Sequence, residues 1–385
     1  MSILSTKTVA TLNLTEVLNS TSADLVEDDL FFFKVFIFGM LLPLAIFILF
    51  GNALVIGAVR EYNHGRQRAV YSFVGSLAFN DCLVGFVLIP VYYTAIFIVE
   101  LKTNFYFCLT VSTFVLASCS TSMLHVSIIA VDRYLAIYFP LQYHVIMDSR
   151  KIAFTILVTW CISFIISVFP FMGWKNTTRK LDYCYIDQVV PVSYMSFHFT
   201  FSFVLPLIVT FAIYLQIIEA ARHQIRRIGV LNSMARNGNA AAIANAARTP
   251  ESILKGAPSS SDLKAITTTA TVLGAFVLCY SPTYIALFVL YSLNHGREEP
   301  IRVPEVTAVF NLLAYANAAV NPVIYCFRYR DFRRSLKVVI LKMLPRWMNK
   351  PRRKRSANHV EAISMDQVTI NPSSVFMNHD FGDGA

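Results

Sequence analysis

The chain has 385 residues, of which 56% are hydrophobic and only 15% charged, whereas soluble domains carry about 25% charged residues. With 31 Phe, 18 Tyr and a mean hydropathy of +0.55, this composition holds more apolar surface than ordinary soluble cores bury, and it excludes a disordered chain. The 14 Gly and 7 Cys exclude collagen-like and disulfide-scaffold classes. An integral membrane protein remains, and the +10 net charge must be read in that setting.

Residues 1–34 form a polar N-terminal tail with no apolar core of a cleavable signal peptide, so the first span is expected to start insertion. Seven apolar stretches follow, at roughly 35–59, 69–98, 106–138, 151–173, 191–218, 264–292 and 303–326. Each reaches the ~20 residues that a bilayer-crossing helix needs, and they are too long and continuous for barrel strands. The expected fold is an all-α seven-transmembrane bundle over 35–341, ending in an amphipathic eighth helix. Within it, 223–262 reads as a mobile inner loop with helical extensions at both ends. Arg328–Lys342 places Phe332, Leu336, Val339 and Ile340 on one face, flanked by Arg330, Arg333, Arg334 and Lys337, as a helix lying on the inner leaflet would. The basic run Arg352–Arg355 extends that contact with membrane lipids, and 342–385 reads as a disordered cytoplasmic tail.

Charge sets the orientation. With the N-terminus outside, the outer segments hold Lys7, Lys34, Lys102, Lys175, Arg179, Lys180, Arg297 and Arg302, and the other 25 of the 33 basic residues fall inside. The net charge is thus a topology signal rather than a nucleic-acid footprint. The sequons at Asn13, Asn19 and Asn176 all fall on the outer side and are expected N-glycosylation sites. Cys82, Cys119, Cys161, Cys279 and Cys326 lie in spans, which leaves Cys108 and Cys184 at the oxidising face to form a disulfide.

Polar groups at membrane depth are costly and mark candidate sites. Asp81, Asn80, Asn52, Ser122, Asn317 and Asn321 are such groups, and Asn317 and Asn321 share a helix face. They read either as a structural hydrogen-bond node or as a hydrated cation site. At the inner end of the third span, Asp132-Arg133-Tyr134 is either a solvated helix end or an Arg held by Asp132 and releasable, with Asp262 as a second acceptor. Pro206, Pro282 and Pro322 interrupt the last three spans, as hinge elements would.

Taken in order, these residues resemble the rhodopsin-like class of G-protein-coupled receptors. The resemblance covers 35–341 and rests on Gly51-Asn52, Leu77-Ala78-Phe79-Asn80-Asp81, Cys108, Asp132-Arg133-Tyr134, Trp160, Pro206 with Tyr214, Phe276 with Pro282, and Asn321-Pro322-Val323-Ile324-Tyr325. It implies a cell-surface receptor that passes an extracellular small-molecule signal to a heterotrimeric G protein, with arrestin and receptor kinases as further partners. Catalytic residues and enzyme activity are not expected. Asp132, Arg133, Tyr134, Tyr214, Asp262, Asn321, Pro322 and Tyr325 would form the activation switch. Asp81, Asn52, Ser122, Asn317 and Asn321 would line an allosteric sodium site, the one ion expected.

Pro170 to Asn176, Cys184 to Pro191, Ser193-Tyr194-Met195 and Ala220 to Gln224 look like adenosine receptors, as does Val115 where amine receptors carry an Asp. The pocket departs from them. Leu287 stands where they have the Asn that hydrogen-bonds the purine, Ile186 where a Phe stacks on it, and Tyr284 where they have a His. Ala314 and Tyr315 replace the Ser and His that meet the ribose, Asp187 replaces a Glu, and Tyr280 replaces the toggle Trp. The candidate ligand set is Val115, Cys119, Ile186, Asp187, His198, Tyr280, Thr283, Tyr284, Leu287, Asn311 and Tyr315. The alternatives are a receptor for a lipid or other neutral non-nucleoside ligand, a constitutively active orphan and, outside the class, a channel or transporter.

Overall fold

The computed structural model describes residues 35–36, 39–61, 68–91, 94, 98–176, 181, 184, 186–236, 260–294, 304–328 and 330–343. Asn13, Asn19 and the tail 344–385 lie outside the described residues.

Among the described residues, seven helices are long and apolar enough to cross a membrane. They are α1 (Gly39–Glu61), α2 (Arg68–Val91), α3 (Phe105–Tyr138), α4 (Ser149–Met172), α5 (from Val192, running to Arg236), α6 (Ser260–Asn294) and α7 (Pro304–Arg328). An eighth helix, α8 (Arg330–Met343), follows. Among the described residues, two helix starts carry side-chain caps. Asn104 accepts from the Phe107 amide at 3.0 Å before α3, and Asp148 accepts from the Arg150 amide at 3.3 Å before α4. The second span was expected to run to 98; it is described as a continuous helix to Val91, and 92, 93 and 95–97 lie outside the described residues. α5 continues as helix to Arg236 and α6 begins at Ser260, and 237–259 between them lie outside the described residues.

The bundle is organised around α3, the most buried span, which packs against α2, α4, α5 and α6. α6 packs on α7, and α7 touches α2 and α8. Between apolar helices in lipid, close packing and interhelical hydrogen bonds supply the adhesion. Gly51 of α1 shows the packing constraint, since a Cβ there would stand 3.0 Å from the Pro322 ring of α7. Gly85 of α2 does the same against Ile48 and Leu49 of α1. Gly57 lies under Val339, so α8 folds back on α1, where Lys342 also pairs with Glu61.

Among the described residues, two spans contain a π-turn, Val84–Leu88 in α2 and Thr200–Val204 in α5. Each closes on the residue just before a proline. The Ile89 amide bonds the Val84 carbonyl ahead of Pro90, and the Leu205 amide bonds the Thr200 carbonyl ahead of Pro206. A proline ring clashes with the carbonyl four residues back and lacks an N–H, and the wider turn accommodates both without breaking the helix.

A buried polar knot ties α2, α3 and α4. His125 is fully buried; its Nδ1–H donates to the Thr121 carbonyl at 2.7 Å. That leaves Nε2 to accept from Ser76 Oγ at 2.8 Å, and Ser76 accepts from Trp160 Nε1 at 3.0 Å. Every polar atom of the knot is satisfied with a neutral imidazole, as a low-dielectric setting demands.

Candidate functional site

At one end of the bundle a cavity of about 720 Å³, counting its mouth, opens between α3, α5, α6 and α7. Its walls are Val111, Ser112, Val115, Leu116 and Cys119 of α3, Met195 of α5, Tyr280, Thr283, Tyr284 and Leu287 of α6, and Asn311, Ala314 and Tyr315 of α7. Cys184 and Ile186 cover it. Among the described residues, no lining side chain carries a formal charge. At its floor Cys119 Sγ and the Tyr284 hydroxyl are 3.5 Å apart, and Tyr280 packs on Phe276 at 4.4 Å. Thr283 Oγ1 is committed to the Phe310 carbonyl at 2.9 Å, which stitches α6 to α7.

Nine of the eleven expected ligand residues line this cavity; Asp187 and His198 do not. In the one-turn helix Ile186–Val189, successive side chains are about 100° apart, so Ile186 faces the cavity and Asp187 does not. His198 is fully buried in the α3–α5 interface. Ser120 Oγ donates to the Leu116 carbonyl at 2.9 Å, so the His198 Nε2–H donates to Ser120 Oγ at 3.0 Å. Val111, Ser112, Leu116 and Met195 were missed, together with Cys184 as a wall residue and Ala314, noted above only as a replacement. The α3 residues were findable, because they stand three to four positions before Val115 and Cys119 on one helix face.

The roof is fastened by the Cys108–Cys184 disulfide, with Cα atoms 5.2 Å apart. Asn176, the sequon after α4, is half-buried, and its side-chain amide donates to the Asp187 and Gln188 carbonyls.

Midway down, Asp81 is 1% exposed and accepts from Asn321 Nδ2 at 2.9 Å. The other polar residues of that layer are buried but differently engaged. Asn52 Nδ2 donates to the Ile48 and Ala318 carbonyls, while Asn80 Nδ2 donates to Ser122 Oγ at 3.0 Å and to the Ser118 carbonyl. Asn317 is 2% exposed. Among the described residues, the Oδ1 atoms of Asn52 and Asn321 are buried without a hydrogen-bond partner. A buried carboxylate with two unpartnered amide oxygens in the same layer is a donor set that suits a hard monovalent cation.

At the opposite end, Arg133 folds back on its neighbour. Its Nε donates to Asp132 Oδ2 at 2.9 Å and its Nη2 bonds the same oxygen, in a pair that is 0–2% exposed. Tyr143, from the one-turn helix Tyr143–Ile146 between α3 and α4, donates to Asp132 Oδ1 at 2.7 Å. Burial, reinforced by the adjacent Asp132 carboxylate, raises the Tyr143 phenol above its ordinary pKa, so it stays a donor. Hydrogen bonds to both Asp132 oxygens make the buried ion pair tolerable. Tyr134 turns aside and stacks on Tyr138 at 4.5 Å, whose hydroxyl donates to the Gln216 carbonyl of α5. Tyr214 and Tyr325 are buried in the core nearby in sequence to Pro206 and Pro322. Asp262 lies in the first turn of α6, where its side chain is outside the described part.

The profile of the 7 transmembrane receptor (rhodopsin family) matches residues 51–325 of this bundle. The chain belongs to the rhodopsin family of seven-transmembrane receptors. Within that family it is similar to the adenosine receptors. It is 31% identical to the adenosine receptor A2b of Gallus gallus over 325 residues, covering 79% of this chain and 87% of the relative. It is 30% identical to the adenosine receptor A2a of Canis lupus familiaris over 317 residues, covering 78% of this chain and 70% of the relative. To the A2b receptor of Homo sapiens it is 30% identical, over 76% of this chain and 86% of the relative. This rhodopsin-family chain is therefore a membrane receptor and not an enzyme.

Proposed function

We propose that the chain is a plasma-membrane receptor, with its N-terminus outside and its C-terminus in the cytoplasm, that couples an extracellular uncharged small molecule to a heterotrimeric G protein. The observation that carries this reading is the largely apolar, uncharged cavity beneath the disulfide-anchored roof. A few hydroxyls, a thiol and an amide interrupt its apolar wall, the usual composition of a small-molecule site. The Asp132–Arg133–Tyr143 lock at the other end supplies the switch. A ligand acts by favouring the state in which that lock opens, to the extent of its differential affinity. Arrestin and receptor kinases are the further partners of this reading, and α8 with Arg352–Arg355 its lipid contact.

Adenosine is not the ligand in this reading. Leu287 and Ile186 both line the cavity, and an apolar side chain where a purine amine needs a partner leaves that polar group unpaired, worth orders of magnitude in affinity. In cells lacking native adenosine receptors, micromolar adenosine is expected to change cAMP weakly or not at all, whereas a robust response would overturn the assignment. The same assay over nucleosides, amines and lipids, with chimeric Gα subunits, separates a neutral or lipid ligand from high basal activity without one.

Asp81, Asn52, Ser122, Asn317 and Asn321 are the proposed holders of an allosteric sodium ion, which would supply the countercharge that the buried Asp81 lacks. Asp81→Asn is expected to abolish any difference in basal signalling between sodium and N-methylglucamine buffers. A sodium response that survives in the variant would remove Asp81 from this role.

A further inference from the structure

We infer that Asn176 is the clasp that positions the roof of the ligand cavity, and that this residue carries no glycan although it heads an Asn-Thr-Thr sequon. The inference rests on the reading of this face as extracellular.

A one-turn helix leaves its last carbonyls without partners of its own. In the roof, four successive carbonyls are met by donors from elsewhere in the chain. Asn176 Nδ2 donates to the Asp187 and Gln188 carbonyls, each at 3.3 Å. The Asn176 backbone amide donates to the Val189 carbonyl at 3.0 Å. The Tyr291 hydroxyl of α6 donates to the Val190 carbonyl at 2.9 Å. One asparagine therefore satisfies three of the four, and the segment it holds carries Ile186 over the cavity.

Asn176 is itself held from the preceding residues. Trp174 Nε1 donates to Ser193 Oγ at 3.0 Å, and the Lys175 ammonium sits 4.7 Å from the centre of the Tyr106 ring at the start of α3. The clasp is thus tied to α3 and α5 before it reaches the roof.

Nδ2 is the atom a glycan would occupy. Glycosylation replaces one of its two N–H bonds with a C–N bond of about 1.46 Å. The nitrogen lies against two carbonyl oxygens and the side chain is half-buried, so the first sugar would fill the space of the roof backbone. The one remaining N–H would leave one of the two carbonyls unmet.

The test uses the full-length receptor on human cells. Wild type is expected to shift on PNGase F treatment through Asn13 and Asn19, and the Asn13→Gln/Asn19→Gln variant is expected not to shift. A residual shift in that variant that disappears on adding Thr178→Ala would overturn the inference. The absence of any shift in wild type would instead count against the outside placement of this face, and the second measurement then decides the clasp alone. That measurement is the rate at which a small methanethiosulfonate reagent modifies Cys119 in the cavity, counting surface receptor only and subtracting a Cys119→Ser background. Asn176→Asp removes both donors and is expected to speed modification several-fold. Tyr291→Phe is expected to speed it less. Thr178→Ala, which destroys the sequon and keeps the amide, leaves the rate unchanged. Equal rates in wild type, Asn176→Asp and Tyr291→Phe would sink the clasp.

Discussion

Arg133→Ala is expected to reduce G-protein activation at least tenfold per receptor at the cell surface. Arg133 is buried to 1% exposure, and the described contacts turn its guanidinium onto Asp132 and Tyr143. In the proposed mechanism this group is released to meet the G protein, so its loss removes an interaction made only in the active state. The single variant has a side effect that must be separated. It strands Asp132, itself 0% exposed, with the Tyr143 hydroxyl, and an uncompensated buried charge costs about 3–5 kcal/mol. Asp132→Asn/Arg133→Ala removes both charges and is expected to express better than Arg133→Ala while remaining uncoupled. Asp132→Asn alone loosens the lock and is expected to raise basal activity. Coupling that persists in the double variant, measured by nucleotide exchange, would refute the mechanism.

Cys108→Ala is expected to have the second-largest effect, on stability and on the cavity. The bond closes a separation of 76 residues, for which the chain-entropy estimate is about 4.5 kcal/mol. That figure is an upper bound here, because the helices α3 and α4 between the two cysteines are already confined by the bilayer. A loss of roughly 2–3 kcal/mol would lower the melting temperature of the detergent-solubilised receptor by roughly 5–10 °C. Cys184 also forms part of the cavity wall, so ligand response should fall with stability. The Cys108→Ala/Cys184→Ala double variant should match either single one, since both remove the same bond. Wild-type melting and surface levels in the single variants would contradict a structural role for the disulfide.

Much of the site was legible in the sequence for a reason particular to membranes. In a span such as 69–98, a polar residue has no solvent to face, so Asp81 and Asn80 stood out without any structural knowledge. Asp81 does meet Asn321, as their burial in a common bundle suggests. Asn52 and Ser122 were assigned to the same layer, yet their hydrogen bonds go to the Ala318 carbonyl and to Asn80. Residue type identified the layer, and only neighbour geometry decided which acceptor each amide took.

His198 and Asp187 mark the limit more sharply. Both are polar groups near a ligand site, and polarity gives no rotational phase. The Ser120 oxygen claims His198 for the α3–α5 interface, and one residue of rotation turns Asp187 off the cavity that Ile186 enters.

By itself, the sequence determined the seven spans and the family, and it singled out the polar residues at membrane depth. Crossing a bilayer imposes ~20 apolar residues per helix, a pattern that can be counted along one dimension. Tertiary structure alone decided the π-turns ahead of Pro90 and Pro206, the lock of Tyr143 on Asp132, and the hold of Asn176 on the cavity roof. The π-turns are local responses to the proline that follows each, whereas the Tyr143 and Asn176 contacts join groups eleven or more residues apart, and such pairings have no period along the chain.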